Sequence, residues 1–322
     1  MPKTQIIVAT AKSTVTVGLV DLPAVGPNQV LVETHCSAIS PGTELAFLHH
    51  KPNTPGHYPY YPGYSACGYV VEKGEGVTSL EIGQRVVCPI PHAAYFVVEA
   101  EKCYPLPEGI GEVEAAVFAL ASIALQGVRK AQIQLGWETA VLGLGPIGNL
   151  AGQIARLAGA THVEGIDPLP WRQTLARACG FDAVVDSAQA VTRGGGFEAV
   201  IEATGLPEPI PSAFQLAKRL GHVILLGSTR GETASVNFYR DVHKKGLTVI
   251  GAHASIRAAV DDHLFYTSLR TDTETVLKLM ASRRLQTGPL VSDVVSFEEA
   301  DEAYQRLTRR DEELMLIVFR WK

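Results

Sequence analysis

Residues 139–167 read TAVLGLGPIGNLAGQIARLAGATHVEGID. An apolar run, Ala140 to Leu142, meets Gly143, Gly145 and Gly148 in the spacing G-x-G-x-x-G, and Ile147, Leu150, Ile154 and Leu157 then recur at helical intervals. The pattern predicts a strand, a tight turn and a helix. In such a turn one glycine permits the bend, one lets backbone N–H groups approach a pyrophosphate, and one lets helix meet strand. Pro146 stands where a helix begins without needing a donor, so that the positive end of the helix dipole faces phosphate. The next apolar stretch, His162 to Ile166, ends in Asp167, at about the 20-residue separation where a carboxylate accepts hydrogen bonds from an adenosine ribose. A carboxylate there also repels a 2′-phosphate, so the stretch predicts a dinucleotide site for NAD rather than NADP. Asp167 has a second reading, as a helix-start cap before Pro168.

With 322 residues the chain is long enough for two domains with their own cores, and 46% apolar residues is the content of a globular protein. A net charge of −5 carries no nucleic-acid footprint. The opening MPKTQIIVA lacks a signal peptide's apolar segment, and no stretch approaches the roughly 18 apolar residues of a membrane span, so a cytoplasmic protein is expected. Cys36, Cys67, Cys88, Cys103 and Cys179 are far apart with no C-x-x-C pair, which argues against disulfides and a cysteine zinc cluster.

Residues 1–115 read as β-rich. Ile6 to Ala9, Thr14 to Leu19, Val30 to Cys36, Gly68 to Lys73, Arg85 to Cys88 and Tyr95 to Glu99 are short apolar or alternating runs between turn clusters, which predicts a compact, barrel-like domain. Between them, residues 40–65, SPGTELAFLHHKPNTPGHYPYYPGYS, read as loops with a short helical turn near Glu44 to His49; such loops on a rigid scaffold carry binding groups. Glu112 to Lys130 reads as a helical linker. Beyond Asp167, helices at Trp171–Ala178 and Pro211–Arg219 alternate with strands at Ala183–Val185, Glu198–Ala203, His222–Leu226 and Leu247–Ile250. That alternation predicts a doubly wound parallel sheet whose ligand crevice lies at the carboxyl strand ends. The expected domains are 1–115 completed by 257–322, with helix Asp272–Arg284, strand Val291–Phe297, helix Glu298–Arg309 and strand Leu314–Phe319 in the tail, and a dinucleotide-binding domain over 116–256.

Together these residues resemble the medium-chain dehydrogenase/reductase superfamily: the N-terminal barrel-like region, the GLGPIG turn, Glu202-Ala203-Thr204-Gly205 at a strand end, GHVILLGS at 221–228 and SFEEADEAYQRL at 296–307. SPGTE at 40–44 and YPYYPGYSACG at 58–68 further resemble bacteriochlorophyllide a dehydrogenase and its relatives. The resemblance implies a GroES-like domain beside a Rossmann domain, with Thr204, Gly227, Ser228, Ala252 and His253 joining the glycine turn around the cofactor, and a homodimer. It also implies catalytic zinc, yet Ser40 stands at the family's cysteine ligand and Gly63-Tyr64-Ser65 at its Gly-His-Glu. The third ligand belongs near residues 118–122, which read FALAS, and the four-cysteine lobe is missing from CPIPHAAYFVV. Zinc requires His, Cys or carboxylate ligands, so a zinc-free enzyme with no metal site is expected; His49, His50, His57 and His92 are the imidazoles that folding could still gather.

Without a metal, hydroxyl or imidazole groups must handle the alcohol proton. By resemblance Tyr64 lies near substrate, Thr43 matches a proton-relay hydroxyl, Glu44 matches the acid supporting the metal site, and His92 follows the shortened loop. The alternatives are a packed turn aromatic, a helix cap, a structural ion pair and a surface loop residue. Ser40, Phe47, Tyr58 and Tyr61, with Tyr60, form a candidate substrate wall, or else fill the space of absent loops. His253 is a substrate contact or a loop histidine. The expected activity is NAD-dependent interconversion of a secondary alcohol, of polyol, cyclitol or sugar-like kind, and a ketone. The rivals are NAD(P)H-dependent reduction of a quinone or enone, and a dinucleotide-binding protein without chemistry.

Overall fold

The computed structural model describes residues 2–192, 194–259, 261–262, 267–310 and 312–322. Its strands are β1 (Lys3–Ala11), β2 (Thr14–Asp21), β3 (Gln29–Ala38), β4 (Ala66–Lys73), β5 (Arg85–Cys88), β6 (Tyr95–Glu99), β7 (Tyr104–Pro105), β8 (Glu138–Leu142), β9 (His162–Ile166), β10 (Ala183–Val185), β11 (Phe197–Glu202), β12 (Ala217–Leu225), β13 (Thr248–Gly251), β14 (Val291–Ser296) and β15 (Leu316–Arg320). The helices are α1 (Pro41–Leu48), α2 (Glu112–Ala115), α3 (Phe118–Ala131), α4 (Pro146–Leu157), α5 (Pro170–Ala178), α6 (Ile210–Leu216), α7 (Leu269–Ala281) and α8 (Ala300–Arg309). No helix among the described residues is long and apolar enough to cross a membrane. Contacts divide the chain into two compact units, Met1–Ala119 with Thr273–Ser282 and Leu290–Lys322, and Leu120–Asp272 with Arg283–Pro289.

The second unit is the doubly wound sheet expected from the βα alternation. Six parallel strands run in the order β10-β9-β8-β11-β12-β13. Order reverses between β8 and β11, and in such sheets ligands bind at that switch point, outside the carboxyl ends of the strands. One apolar face packs Ala140, Leu142, Val200 and Val223 against Ala213 and Phe214 of α6.

The first unit is the β-rich, GroES-like one. Its sheet follows β14-β15-β3-β4-β5-β7, with β4 along one edge of β3 and β6 and β15 dividing the other. The β1–β2 hairpin joins through Ile7 N–H to the His92 carbonyl (2.8 Å) and a reciprocal Ala9–Tyr60 pair. Ile7, Ile39, Leu48, Tyr304 and Phe319 meet in its core, so residues from both ends of the chain fill one interior.

Two expectations need correction. The helix expected over Pro211–Arg219 ends at Leu216, and the backbone is already strand at Ala217, which pairs with Phe197. Lys245 Nζ donates to the carbonyls of Phe214, Gln215 and Ala217 (2.8, 2.9 and 2.5 Å), which closes the helix early. Residues 257–272, expected with the first domain, group with the second unit. A buried charge holds them there. Asp272, fully buried, accepts from Arg129 Nη1 (2.6 Å), Arg257 Nη1 (2.9 Å) and Thr267 Oγ1 (2.6 Å), and the same Arg257 nitrogen reaches Ser122 Oγ (2.8 Å). Asp272→Ala leaves the buried Arg257 cation uncompensated and is expected to cost about 3–5 kcal/mol, read as a lower denaturant midpoint at unchanged slope.

Candidate functional site

In the second unit the turn after β8 admits glycine for steric reasons. A Cβ on Gly148 would lie 1.8 Å from the Gly143 carbonyl oxygen. One on Gly143, whose φ is +85°, would lie 2.9 Å from the Thr204 backbone. Gly145 caps α4 and Pro146 follows at its start, leaving the helix's first N–H groups around Ile147 directed out of the turn. These are the groups that hold a phosphate when a helix N-terminus faces an anion.

Asp167, 3% exposed, closes one side of the turn. Its Oδ2 accepts the Leu144 N–H (2.8 Å) and its Oδ1 the Leu169 N–H (3.0 Å), so it grips the glycine turn and the loop before α5. The helix-cap reading is corrected: the N-cap of α5 is Leu169, and no side chain caps that helix. Arg172, absent from the sequence-derived site, reaches Asp167 Oδ2 with Nη1 at 3.5 Å and lies over the Trp171 ring at 5.1 Å. That same nitrogen is 3.9 Å from where a Gly145 Cβ would stand. A basic residue one turn into the helix after the acidic strand end was a usable signal.

On the other side, Thr204 donates both its N–H (2.8 Å) and its hydroxyl to Glu202 Oε1. Gly227 lies so close to Gly205 that a Cβ would be 2.6 Å from its nitrogen, and the Ser228 carbonyl borders the same glycine. Ala252 is buried and donates to the Leu225 carbonyl (3.0 Å). The exposed His253 ring turns onto its own loop, where Nδ1 pairs with Ser255 Oγ (2.7 Å).

In the first unit, Ser40 precedes α1 as its N-cap residue and Thr43 lies inside the helix, so Thr43 is not the cap. Tyr64 donates its phenol to Ser40 Oγ at 2.6 Å. Burial pushes that phenol up to about 12, moderated by bonds to Ser40 and Thr43, so Tyr64 is a neutral donor. Behind the pair sits a buried carboxylate. Glu44, 2% exposed, accepts the Ser40 N–H on Oε1 (2.7 Å) and, on Oε2, His92 Nε2–H (3.1 Å) and the Tyr304 hydroxyl. His92 Nδ1 meets Ser37 Oγ (2.8 Å), which accepts the Trp321 indole N–H (2.9 Å). One tautomer satisfies every atom: the Ser37 hydroxyl donates to Nδ1, and Nε2–H donates to Glu44.

This placement corrects the expectations for His92 and Glu44. His92 is 0% exposed, neither a surface residue nor open to a substrate, and Glu44 is equally enclosed. Both support Ser40 and Tyr64 from behind. The aromatic wall is corrected in part: Tyr58 donates to the Leu48 carbonyl (2.5 Å) and Tyr60 to the Glu44 carbonyl (3.2 Å), so both phenols fasten loop to helix. Phe47 packs edge-on to Tyr60, and Tyr61 remains 48% exposed. The donor set is poor for zinc. Ser65 donates to the Ala116 carbonyl (2.5 Å), and among the described residues no three His, Cys, Asp or Glu side chains are grouped to hold a metal. His49 bonds Ser13 and Thr308, while His50 stacks on Tyr58. His92→Ala removes a donor from the buried Glu44 carboxylate and is expected to destabilise by about 2–4 kcal/mol, with His92→Gln recovering part of it in thermal unfolding.

Two family models match the chain in succession: the alcohol dehydrogenase GroES-like domain over residues 26–128, and zinc-binding dehydrogenase over residues 146–267. The D-guloside 3-dehydrogenase of Escherichia coli is 26% identical over 76% of this chain and 72% of its own. The L-threonine 3-dehydrogenase of Pyrococcus furiosus is 26% identical over 89% of this chain and 90% of its own. In structure, galactitol-1-phosphate dehydrogenase from Escherichia coli superposes with a TM-score of 0.85 at 22% identity, covering 98% of this chain and 99% of that one. With a GroES-like unit and a doubly wound unit matched in this order, the chain has the fold of the medium-chain dehydrogenase/reductase superfamily.

Proposed function

We propose that this protein is a zinc-independent, NAD-dependent dehydrogenase that interconverts a secondary alcohol, of polyol, cyclitol or sugar-like kind, and its ketone, working in the cytoplasm as a homodimer. The observation that carries it is the cradle formed by Gly143, Gly145, Gly148 and Asp167, whose backbone donors suit a pyrophosphate and whose carboxylate suits an unphosphorylated ribose. The names of the relatives, D-guloside and L-threonine 3-dehydrogenases, support a hydroxyl-bearing small molecule as substrate. Zinc independence is supported by the donors present. Hydroxyls stand at Ser40, Tyr64 and Ser65, and zinc sites are built from His, Cys and carboxylates.

The nicotinamide coenzyme, when bound, supplies the hydride carrier. The chain's own task is the proton. In ketone reduction the Ser40 hydroxyl gives its proton to the carbonyl oxygen while Tyr64 replaces it along the 2.6 Å bond between them, and the half-buried phenolate takes a proton from solvent before the next turnover. Glu44, fixed by His92 and Tyr304, holds the Ser40 backbone and so the aim of its hydroxyl. Asp167 and Arg172 flank the ribose side, and the carboxylate disfavours a 2′-phosphate.

Four measurements test the reading. A screen of polyols and sugars should give NADH formation, with NADP a poorer oxidant; preference for NADPH, or reduction of quinones without alcohol turnover, would sink it. Elemental analysis of active protein should find no stoichiometric zinc. Tyr64→Phe should lower kcat about 10²-fold or more with little change in KM, the loss typical of a missing general acid. Because the phenol is raised to about 12, it stays protonated at lower pH. At saturating NADH and ketone, the rate of ketone reduction should therefore hold through about pH 10 and fall only as the phenol ionises.

A further inference from the structure

Glu202 has no role in the mechanism above. It is the last residue of β11, at the carboxyl edge of the parallel sheet and at the strand beside the switch point. The side chain is fully buried. Oε1 accepts the Thr204 N–H (2.8 Å) and the Thr204 hydroxyl, whereas Oε2 is buried without a hydrogen-bond partner, against Gly227, where an added Cβ would lie 3.1 Å from it. Thr204 in turn abuts Gly143, the first glycine of the coenzyme turn.

We propose that Glu202 is a positioning residue for the dinucleotide, holding Thr204 against the Gly143 turn as an uncharged acid. The proposal rests on the dinucleotide reading of that turn. The geometry argues for the neutral form. An ionised carboxylate taken out of water needs a cation or a full set of donors, and Glu202 has two donors on one oxygen and none on the other. Its neighbours do not supply compensation. Leu142 of β8 and Leu225 of β12 flank it in register, Gly148 of α4 packs on Ala203, and Thr204 is the polar side chain that faces it. The charged groups at the neighbouring strand ends, Asp167 and Arg172, are bonded to each other, and what acts on the Glu202 carboxyl is its burial and the bonds from Thr204. Burial pushes the Glu202 carboxyl above the usual carboxylate range, opposed by the two bonds from Thr204. The proton then belongs on Oε2.

An uncharged acid is compatible with a pyrophosphate dianion on the adjoining turn; an ionised one repels it. The sign follows from linkage: the bound dinucleotide favours the protonated acid, so affinity is highest at low pH and declines as Glu202 ionises. The experiment is NADH titration of the intact protein by fluorescence from about pH 6 to about pH 9, on wild type and Glu202→Gln. Wild type should weaken by about tenfold as the pH rises and Glu202 ionises, the linkage carried by one unit of coupling. Glu202→Gln, an uncharged isostere, should match wild type at the acid end and hold its affinity to the alkaline end. An equal slope in both proteins overturns the proposal, as does a folded Glu202→Gln that binds weakly at every pH. Should Glu202→Gln fail to fold, Thr204→Val serves. It removes a bond that favours the anion, so the decline should start at higher pH, and an unmoved onset overturns the proposal. Absence of NADH binding by wild type at any pH would instead refute the dinucleotide site.

Discussion

The contact between Gly148 and the carbonyl of Gly143 is the constraint from which the second unit is built. At 1.8 Å for any added Cβ, only a hydrogen fits, and helix α4 therefore starts hard against the strand it follows. That closeness has two effects. It turns the free N–H groups of the helix outward at the carboxyl edge of the sheet, and it lets Asp167, one strand over, reach back to the Leu144 N–H. Thr204 then completes the rim from β11, the strand on the other side of the switch point. The rim is thus made from backbone donors and small residues, with Arg172 near by.

The first unit solves a different problem, how to keep a carboxylate inside a β-rich core without a cation beside it. Glu44 is surrounded by an N–H, a phenol and an imidazole, which together give both of its oxygens partners. Such a network is stiff, because losing any member leaves a buried carboxyl oxygen short of a donor. The stiffness is transmitted to Ser40 through its own backbone N–H. In front of that network stand a serine and a tyrosine bonded to each other.

How much of this was legible in sequence depends on the range of each contact. The glycine turn, Asp167 and strands β5, β6, β9 and β10 were readable to the residue because spacing and periodicity are local. Arg172 was overlooked although its signal lay five residues from Asp167. The Glu44 network could not be read, since His92 and Tyr304 lie 48 and 260 positions away. Nothing in the neighbourhood of His92 in sequence separates a buried imidazole from a loop one. The early end of α6 was hidden for the same reason, its last carbonyls being held by Lys245, about 30 residues on.

The interleaving of the chain between its two units bears on the order in which they can form. The six parallel strands and their helices come from one nearly continuous segment, whereas the first unit's interior is not complete until Tyr304, Phe319 and Trp321 reach the strands of the first hundred residues. Long-range closure of this kind is slow, and a chain grows from its N-terminus. During synthesis the β-rich segment is expected to wait with its apolar face uncovered until the last residues of that unit arrive. Its need for chaperone protection is then expected to exceed that of the nearly continuous second unit.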